Sequence, residues 1–255
     1  MSALHLVRLV LDRRELARIG ARHHLGAWVD DGALLHAGLA QLFATSTARA
    51  EVPFSSFAVD DVYAESMRQP LSEFVLGYAA HSASELESRM GPARDNLLLG
   101  FDSRRVPLPA VGQRLGFRVR VCPVVRTRIA HDEATASGTP KVARESRELD
   151  AFIHQTLTVA RDVPVAREAV YGDWLRSKLV AHNACEVHSV ELASFRRERM
   201  RRRASGGGLG IERPNAVLEG SLTVTDAGAF ASLLTRGVGR HRAFGFGMLL
   251  LRADG

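Results

Sequence analysis

LGFRVRVCPVVRTR, residues 115–128, decides the fold: Phe117, Val119 and Val121 fall on one side of an extended chain, Arg118 and Arg120 on the other. Alternation with period two is what a strand shows when one face is buried and the other wet. Its place in the chain matters as much as its pattern. It follows a proline-containing crossing, VPLPAVGQ at 106–113, and opens a series of elements that repeats the series before it.

Toward the N-terminus, LHLVRLVLD (4–12) alternates Leu4 and Leu6 and, after a break, Leu9 and Leu11, which predicts an opening strand. DGALLHAGLAQLFAT (31–45) predicts a helix, with Asp31 as cap and Leu35, Leu39 and Leu42 on one stripe. FSSFAVDDV (54–62) and LSEFVLGYAA (71–80) read as strands, SASELESRM (82–90) as a short helix capped by Ser82 or Ser84, and NLLLGFD (96–102) as a fourth strand. Toward the C-terminus, VAREAVYGDWLRSKLVAH (165–182) reads as a helix, and EVHSVELASF (186–195) and NAVLEGSLTV (215–224) as strands. DAGAFASLLTRG (226–237) is a helix capped by Asp226, and FGFGMLLLR (244–252) is the closing strand. Both halves read β-α-β-β-α-β. The predicted fold is α+β: two tandem ferredoxin-like (RRM-like) domains, 1–108 and 113–255, with a helical and arginine-rich insertion at about 128–163 of the second. In that insertion KVARESRELDAFIHQTLTVAR (141–161) puts Leu149, Phe152, Ile153 and Leu157 on one stripe, which predicts an amphipathic helix.

A chain of 255 residues, 46% hydrophobic, buries a sizeable core. Its net charge of +6 is almost wholly arginine, because Lys141 and Lys178 are the only lysines. Guanidinium is planar, permanently charged and matches phosphate in bidentate fashion, so this excess suits a polyanionic partner. Cys122 and Cys185 stand far apart with no CxxC pair, which argues against zinc and against a disulfide framework. No apolar run long enough for a membrane helix occurs, so a soluble cytoplasmic protein without membrane contact is expected.

Two segments carry the charge. FRRERMRRRASGGGLGIERP (195–214) packs Arg196, Arg197, Arg199, Arg201, Arg202 and Arg203 together and then runs into glycines. Such a block repels itself if buried, so it is expected to be exposed and mobile until an anion neutralises it. RGVGRHRAFGFGMLLL (236–251) sets Gly237, Gly239, Gly245 and Gly247 around Arg240, His241 and Arg242. Those glycines would let the backbone approach a ligand, with amides turned toward anionic oxygens. The segment is neither a Walker loop nor a dinucleotide fingerprint, since no Gly-Lys-Ser/Thr occurs and Arg242 stands where a third glycine would be required.

LEGSLTVTDAGAFASLLTRGVGRHRAFGFGMLLL (218–251) resembles the C-terminal signature of the CasE family, the repeat-cleaving endoribonucleases of CRISPR Cascade complexes. FRVRVCPVVRT (117–127), REAVYGDWLRSKL (167–179) and HAGLAQLF (36–43) are similar to that family in the same order. The resemblance implies a metal-independent endoribonuclease with no cofactor, which cuts precursor CRISPR RNA beside a repeat stem-loop by 2′-OH attack. It further implies that the product stays bound and that other effector-complex subunits are partners. The family's catalytic histidine falls on His36, and an imidazole with an ordinary pKa of about 6.5 suits proton transfer at neutral pH. Arg118, Arg120, Arg196, Arg197, Arg199, Arg201, Arg202, Arg203, Gly237, Gly239, Arg240, His241 and Arg242 are the expected RNA-binding set, and no metal ligand is expected. His23 and His24 rank beside His36 when the residues are read without the resemblance. Some members carry a tyrosine soon after the histidine, whereas Leu39 stands in that neighbourhood. The extra length at 128–163 and the arginine run are similar to the type IV CRISPR processing subunit. The alternative is a crRNA-binding subunit that does not cut.

Overall fold

The computed structural model of the protein describes residues 3–22, 31–44, 51–59, 72–133, 141–201 and 210–253. In the first unit, β1 (His5–Asp12) pairs antiparallel with both β3 (Ser72–Ala79) and β4 (Leu98–Arg105), while the short β2 (Phe57–Val59) borders β3. The sheet order β2-β3-β1-β4 is that of a ferredoxin-like unit. Val7, Leu9 and Leu11 alternate inward along β1, where they meet helices α1 (Arg13–Arg22) and α2 (Asp31–Leu42) through Leu16, Ile19, Leu35, Leu39 and Leu42. Each such side chain stabilises the unit by about 1.5–3 kcal/mol on burial. A two-turn helix α3 (Ala83–Ser88) follows β3, its capping box made by Ser82 and Glu85, and a single turn α4 (Arg94–Leu97) leads into β4.

Helix α1 is absent from the sequence reading. It starts directly at the end of β1, because the Asp12 carboxylate accepts from the amides of Arg14 at 2.7 Å and Glu15 at 3.2 Å.

The second unit repeats the plan. Strands β5 (Arg114–Val121), β8 (Cys185–Arg201), β9 (Gly210–Val224) and β10 (Leu249–Ala253) form a sheet in the order β10-β5-β9-β8. Phe117, Val119 and Val121 face helices α6 (Arg167–Val180) and α7 (Ala227–Arg236) in one core with Leu175, Leu179, Phe230 and Leu233. Leu4, Ala58 and Tyr78 of the first unit join that same core, so apolar contact ties the halves together. Gly220 is required where β8 bulges against β9, since a Cβ there would overlap the Ser189 carbonyl oxygen and meet the Phe117 ring at 2.9 Å.

Three sequence expectations are corrected. Residues 141–150 are not helix: β7 (Lys141–Asp150) pairs along its length with β6 (Val124–Glu133), and only α5 (Ala151–Thr158) is helical. Asp150 ends the strand and caps that helix, accepting from the amide of Phe152 at 2.8 Å. The arginine run is ordered through Arg201, because β8 stays in register with β9 from Arg196↔Asn215 to Arg201↔Gly210. Interleaved carboxylates relieve the expected repulsion: Arg197 and Arg199 lie 3.7 and 3.8 Å from Glu212, and Glu198 takes Arg120 at 2.7 Å. Arg202 and Arg203 lie outside the described residues, as do His23 and His24. The closing strand begins at Leu249 rather than 244, because left-handed backbone at His241, Gly245 and Gly247 turns the chain through a single 3-10 turn at Arg242–Phe244. Among the described residues no helix is long and apolar enough to cross a membrane.

Candidate functional site

Helix α2 buries Leu35 and Leu39, which leaves Gly32 and His36, one turn apart, on a flank that meets the glycine-rich loop. The His36 ring lies 5.3 Å from the ring of Phe244, tilted by 48°. Half burial holds the His36 pKa below its ordinary 6.5, so the imidazole is neutral at pH 7. Leu39 is fully buried, and the aromatic neighbour of His36 is supplied by Phe244 from the far end of the chain.

The ring of His241, whose backbone is left-handed with φ 60°, stands 6.5 Å from the same Phe244 ring. Its Nε2 lies 3.1 Å from Glu148 Oε2, and Arg213 and Arg240 pair with the same carboxylate. Burial pushes the Glu148 carboxyl upward, but His241, Arg213 and Arg240 outweigh it and hold the group below the usual carboxylate range. Burial also lowers the His241 pKa, against the pull of Glu148. With two guanidinium groups already on the carboxylate, His241 is neutral and donates a hydrogen bond from Nε2 rather than forming an ion pair.

The glycines serve the loop's path. Gly237 follows α7 with φ 71°, its amide donating to Leu233 O at 2.8 Å, and a Cβ on it would strike Ser56 of the first unit. A Cβ on Gly239 would stand 2.8 Å from the Trp174 ring. The amides of Val238, Gly245 and Gly247 donate to Gly247 O, Arg242 O and Arg120 O. The amides of Gly237, Gly245 and Gly247, expected to face anionic oxygens, are thus turned to protein carbonyls. Arg242 is tied back by a 2.6 Å bond to Arg236 O at the end of α7.

Beside this loop a groove of about 520 Å³ opens between the two sheets, lined by Arg13 and Glu73 of the first unit and Arg118, Arg120, Arg196 and Glu198 of the second. Asp31 at the start of α2 and Gly245 beside Phe244 also line it, so the helix that carries His36 and the loop that carries Phe244 both reach the groove. Arg120 is the fixed cation: Glu198 holds it at 2.7 Å, Asn215 Oδ1 accepts from it at 3.1 Å, and its guanidinium lies 4.3 Å from the Phe246 ring centre. Arg118 shares Glu219 with Arg252, and Arg196 is two-thirds exposed with Glu198 at 3.6 Å.

Of the residues expected from sequence, the fold gathers His36, Arg240, His241 and Arg242 at the loop and Arg118, Arg120 and Arg196 in the groove. Arg197, Arg199 and Arg201 continue along the β8–β9 ladder, away from β5. Sequence reasoning missed Phe244, Arg213 and Glu148. An aromatic directly before Gly245 in the glycine-rich segment was the available signal for Phe244, whereas Glu148 is one acid in a mixed-charge run and carried none. Among the described residues, no three His, Cys, Asp or Glu side chains converge as a metal site would require.

The profile of the CRISPR associated protein family matches residues 4–253. No curated protein matches the chain. Among solved structures, the chain is similar to the CRISPR-associated protein Cas6e from Escherichia coli K-12, at 24% identity and TM-score 0.56 over 98% of this chain and 100% of that one. It is also similar to CRISPR endoribonuclease Cse3 bound to a 19-nucleotide RNA, at 20% identity and TM-score 0.57 over 99% and 100% of the two chains. A chain of a CRISPR RNA-guided surveillance complex is similar at 18% identity and TM-score 0.54, over 98% of this chain and 100% of that one. At these identities the likeness carries the fold.

Proposed function

The chain belongs to the CRISPR associated protein family, and from that premise we propose that it is an endoribonuclease that cuts precursor CRISPR RNA beside the repeat stem-loop. It keeps the mature RNA bound and works in the cytoplasm as a subunit of an effector complex. The observation that carries this reading is a neutral, half-buried His36 set against Phe244, on a helix and a loop whose Asp31 and Gly245 line an arginine-rich groove. Similar folds described as an endoribonuclease bound to RNA and as part of an RNA-guided complex support it.

In the proposed reaction His36 takes the proton from a ribose 2′-hydroxyl, and the 2′-oxygen attacks the adjacent phosphorus. The bond from phosphorus to the 5′-oxygen breaks, leaving a 2′,3′-cyclic phosphate on one fragment. The imidazolium so formed returns a proton to the leaving 5′-oxygen. Arginine at the loop and groove stabilises the charge that builds on the phosphate oxygens, and no metal or cofactor enters the scheme. Arg118, Arg120, Arg196, Arg197, Arg199 and Arg240 grip phosphates, while hairpin shape supplies specificity, as suits A-form RNA.

The test is incubation of repeat-containing precursor RNA with the protein in EDTA. A discrete fragment ending in a cyclic phosphate, lost when the scissile nucleotide is 2′-deoxy, is expected. Product that forms only with added Mg²⁺ overturns the mechanism, and tight binding without any cut makes the protein a crRNA-binding subunit.

A further inference from the structure

Glu148 lies near the end of β7, in a hairpin that belongs to neither four-stranded sheet, yet its carboxylate takes three partners from outside that hairpin. Its side chain is 13% exposed. Oε2 stands 3.0 Å from Arg213 Nη2 on β9 and 3.1 Å from His241 Nε2 on the glycine-rich loop, and Oε1 pairs with Arg240 Nε. Its own carbonyl oxygen accepts a second bond from Arg213 at 3.0 Å, so carboxylate and backbone are both held by one guanidinium. A group that keeps three partners from two remote segments fixes those segments relative to each other.

What it fixes leads to His36. The left-handed His241 starts the 3-10 turn, and its carbonyl accepts from the amide of Phe244 at 2.9 Å. Phe244 in turn backs the His36 ring. We propose that Glu148 is a positioning residue for the cleavage reaction: the inserted hairpin uses one carboxylate to lock Arg240 and His241, and thereby sets Phe244 against His36. This rests on the reading of His36 as the proton-transfer group. The same carboxylate neutralises Arg213 and Arg240, so it holds the loop in place while weakening local attraction for phosphate. Positioning and affinity therefore move in opposite directions when it is removed, which a merely structural ion pair would not produce.

The experiment compares the full-length protein with Glu148→Ala and with Glu148→Gln, the latter retaining hydrogen-bonding capacity where the alanine variant fails to fold. Three quantities are read: single-turnover cleavage at saturating RNA, affinity for an uncleavable 2′-deoxy RNA, and the NMR resonance of the His36 imidazole, which the Phe244 ring current shifts. Cleavage is expected to slow by about ten- to a hundredfold, the range produced by misplacing a reacting group by about an ångström. Affinity at low salt is expected to tighten by about three- to tenfold as the freed guanidinium groups meet phosphate, and the His36 resonance to move. An unmoved His36 resonance, an unchanged saturated rate, or an affinity that falls with the rate overturns the proposal. If the wild-type protein cuts nothing, the nuclease reading is lost, and the His36 resonance alone decides whether Glu148 controls that ring.

Discussion

A Cβ atom on Gly32 would overlap the carbonyl oxygen of Phe244, so helix α2 and the glycine-rich loop touch with no side chain between them. His36 sits one turn further along the same flank. Replacing Gly32 with alanine should push the helix off the loop, costing about 1–3 kcal/mol as overpacking does, and should slow cleavage. Gly38→Ala is the control, because its Cβ would meet only the end of the Leu16 side chain, away from the loop. Urea unfolding and single-turnover rates compare the two; equal rates would show that this contact does not set the histidine.

His36→Ala should slow cleavage by about 10²–10⁴-fold, the usual contribution of a general base, with little change in RNA affinity. The pH profile carries its own sign. Burial lowers the His36 pKa, so the basic form prevails at pH 7; the rate should rise with pH at the acid end and level off, with its inflection below 6.5. A falling rate over that window would make His36 an acid instead. Unchanged cleavage in the variant would move the search to Arg240, His241 and Arg242.

The same shifts govern stability. His36 and His241 both have folded-state pKa values depressed by burial, so below pH 6.5 the unfolded chain binds protons that the folded one refuses. Stability is present above that pH and is lost as pH falls through the folded values. Thermal unfolding from pH 7.5 to 5 should show a declining Tm. The decline should be shallower in His241→Asn, since asparagine tolerates the left-handed backbone and does not titrate there. An equally steep decline in that variant would place the titrating groups elsewhere.

The two sheets were legible because the strands obey a local rule: Phe117, Val119 and Val121 must alternate inward whatever lies elsewhere in the chain. Caps were legible for the same reason, and Asp226 accepts from the Ala229 amide at 2.8 Å as its position predicts. Helix α1 escaped because RRELARIGAR is polar, and the signals were only Asp12 as cap and the spacing of Leu16 and Ile19. The arginine run misled because repulsion within one segment ignores Glu212 on the paired strand. Glu148 was invisible because its partners Arg213, Arg240 and His241 lie from 65 to 93 residues away, and no local pattern encodes that closure.

RNA affinity should fall steeply with salt, in proportion to the phosphates neutralised. Arg196, Arg197 and Arg199 are half or more exposed, and their carboxylate partners stand at 3.6, 3.7 and 3.8 Å, too loosely held to compete with phosphate. Changing all three to alanine should reduce the slope of log K against log salt by roughly 0.9 for each phosphate that is no longer neutralised. Binding titrations from low to moderate salt measure it, and an unaltered slope would return this part of β8 to an ordinary solvated edge.

The inserted hairpin must itself be anchored if Glu148 is to hold anything, and Tyr171 provides the anchor. Its hydroxyl lies 2.9 and 3.0 Å from the two oxygens of Asp150, two residues beyond Glu148, and Arg167 donates to that hydroxyl at 2.7 Å. Burial pushes the Tyr171 pKa up, with Asp150 acting in the same direction, so the phenol stays protonated and donates. The Asp150 side chain is 7% exposed, and a buried carboxylate that loses a donor bears much of its desolvation cost. Tyr171→Phe should therefore destabilise the protein by about 1–3 kcal/mol, with an unchanged denaturant slope, while Asp150→Asn added to it should cost little more. A double-mutant cycle in urea reads the coupling directly. Additive losses would mean that the hydroxyl and the carboxylate contribute separately, and the hairpin's hold on the loop would then have to come from β6 and α5 packing alone.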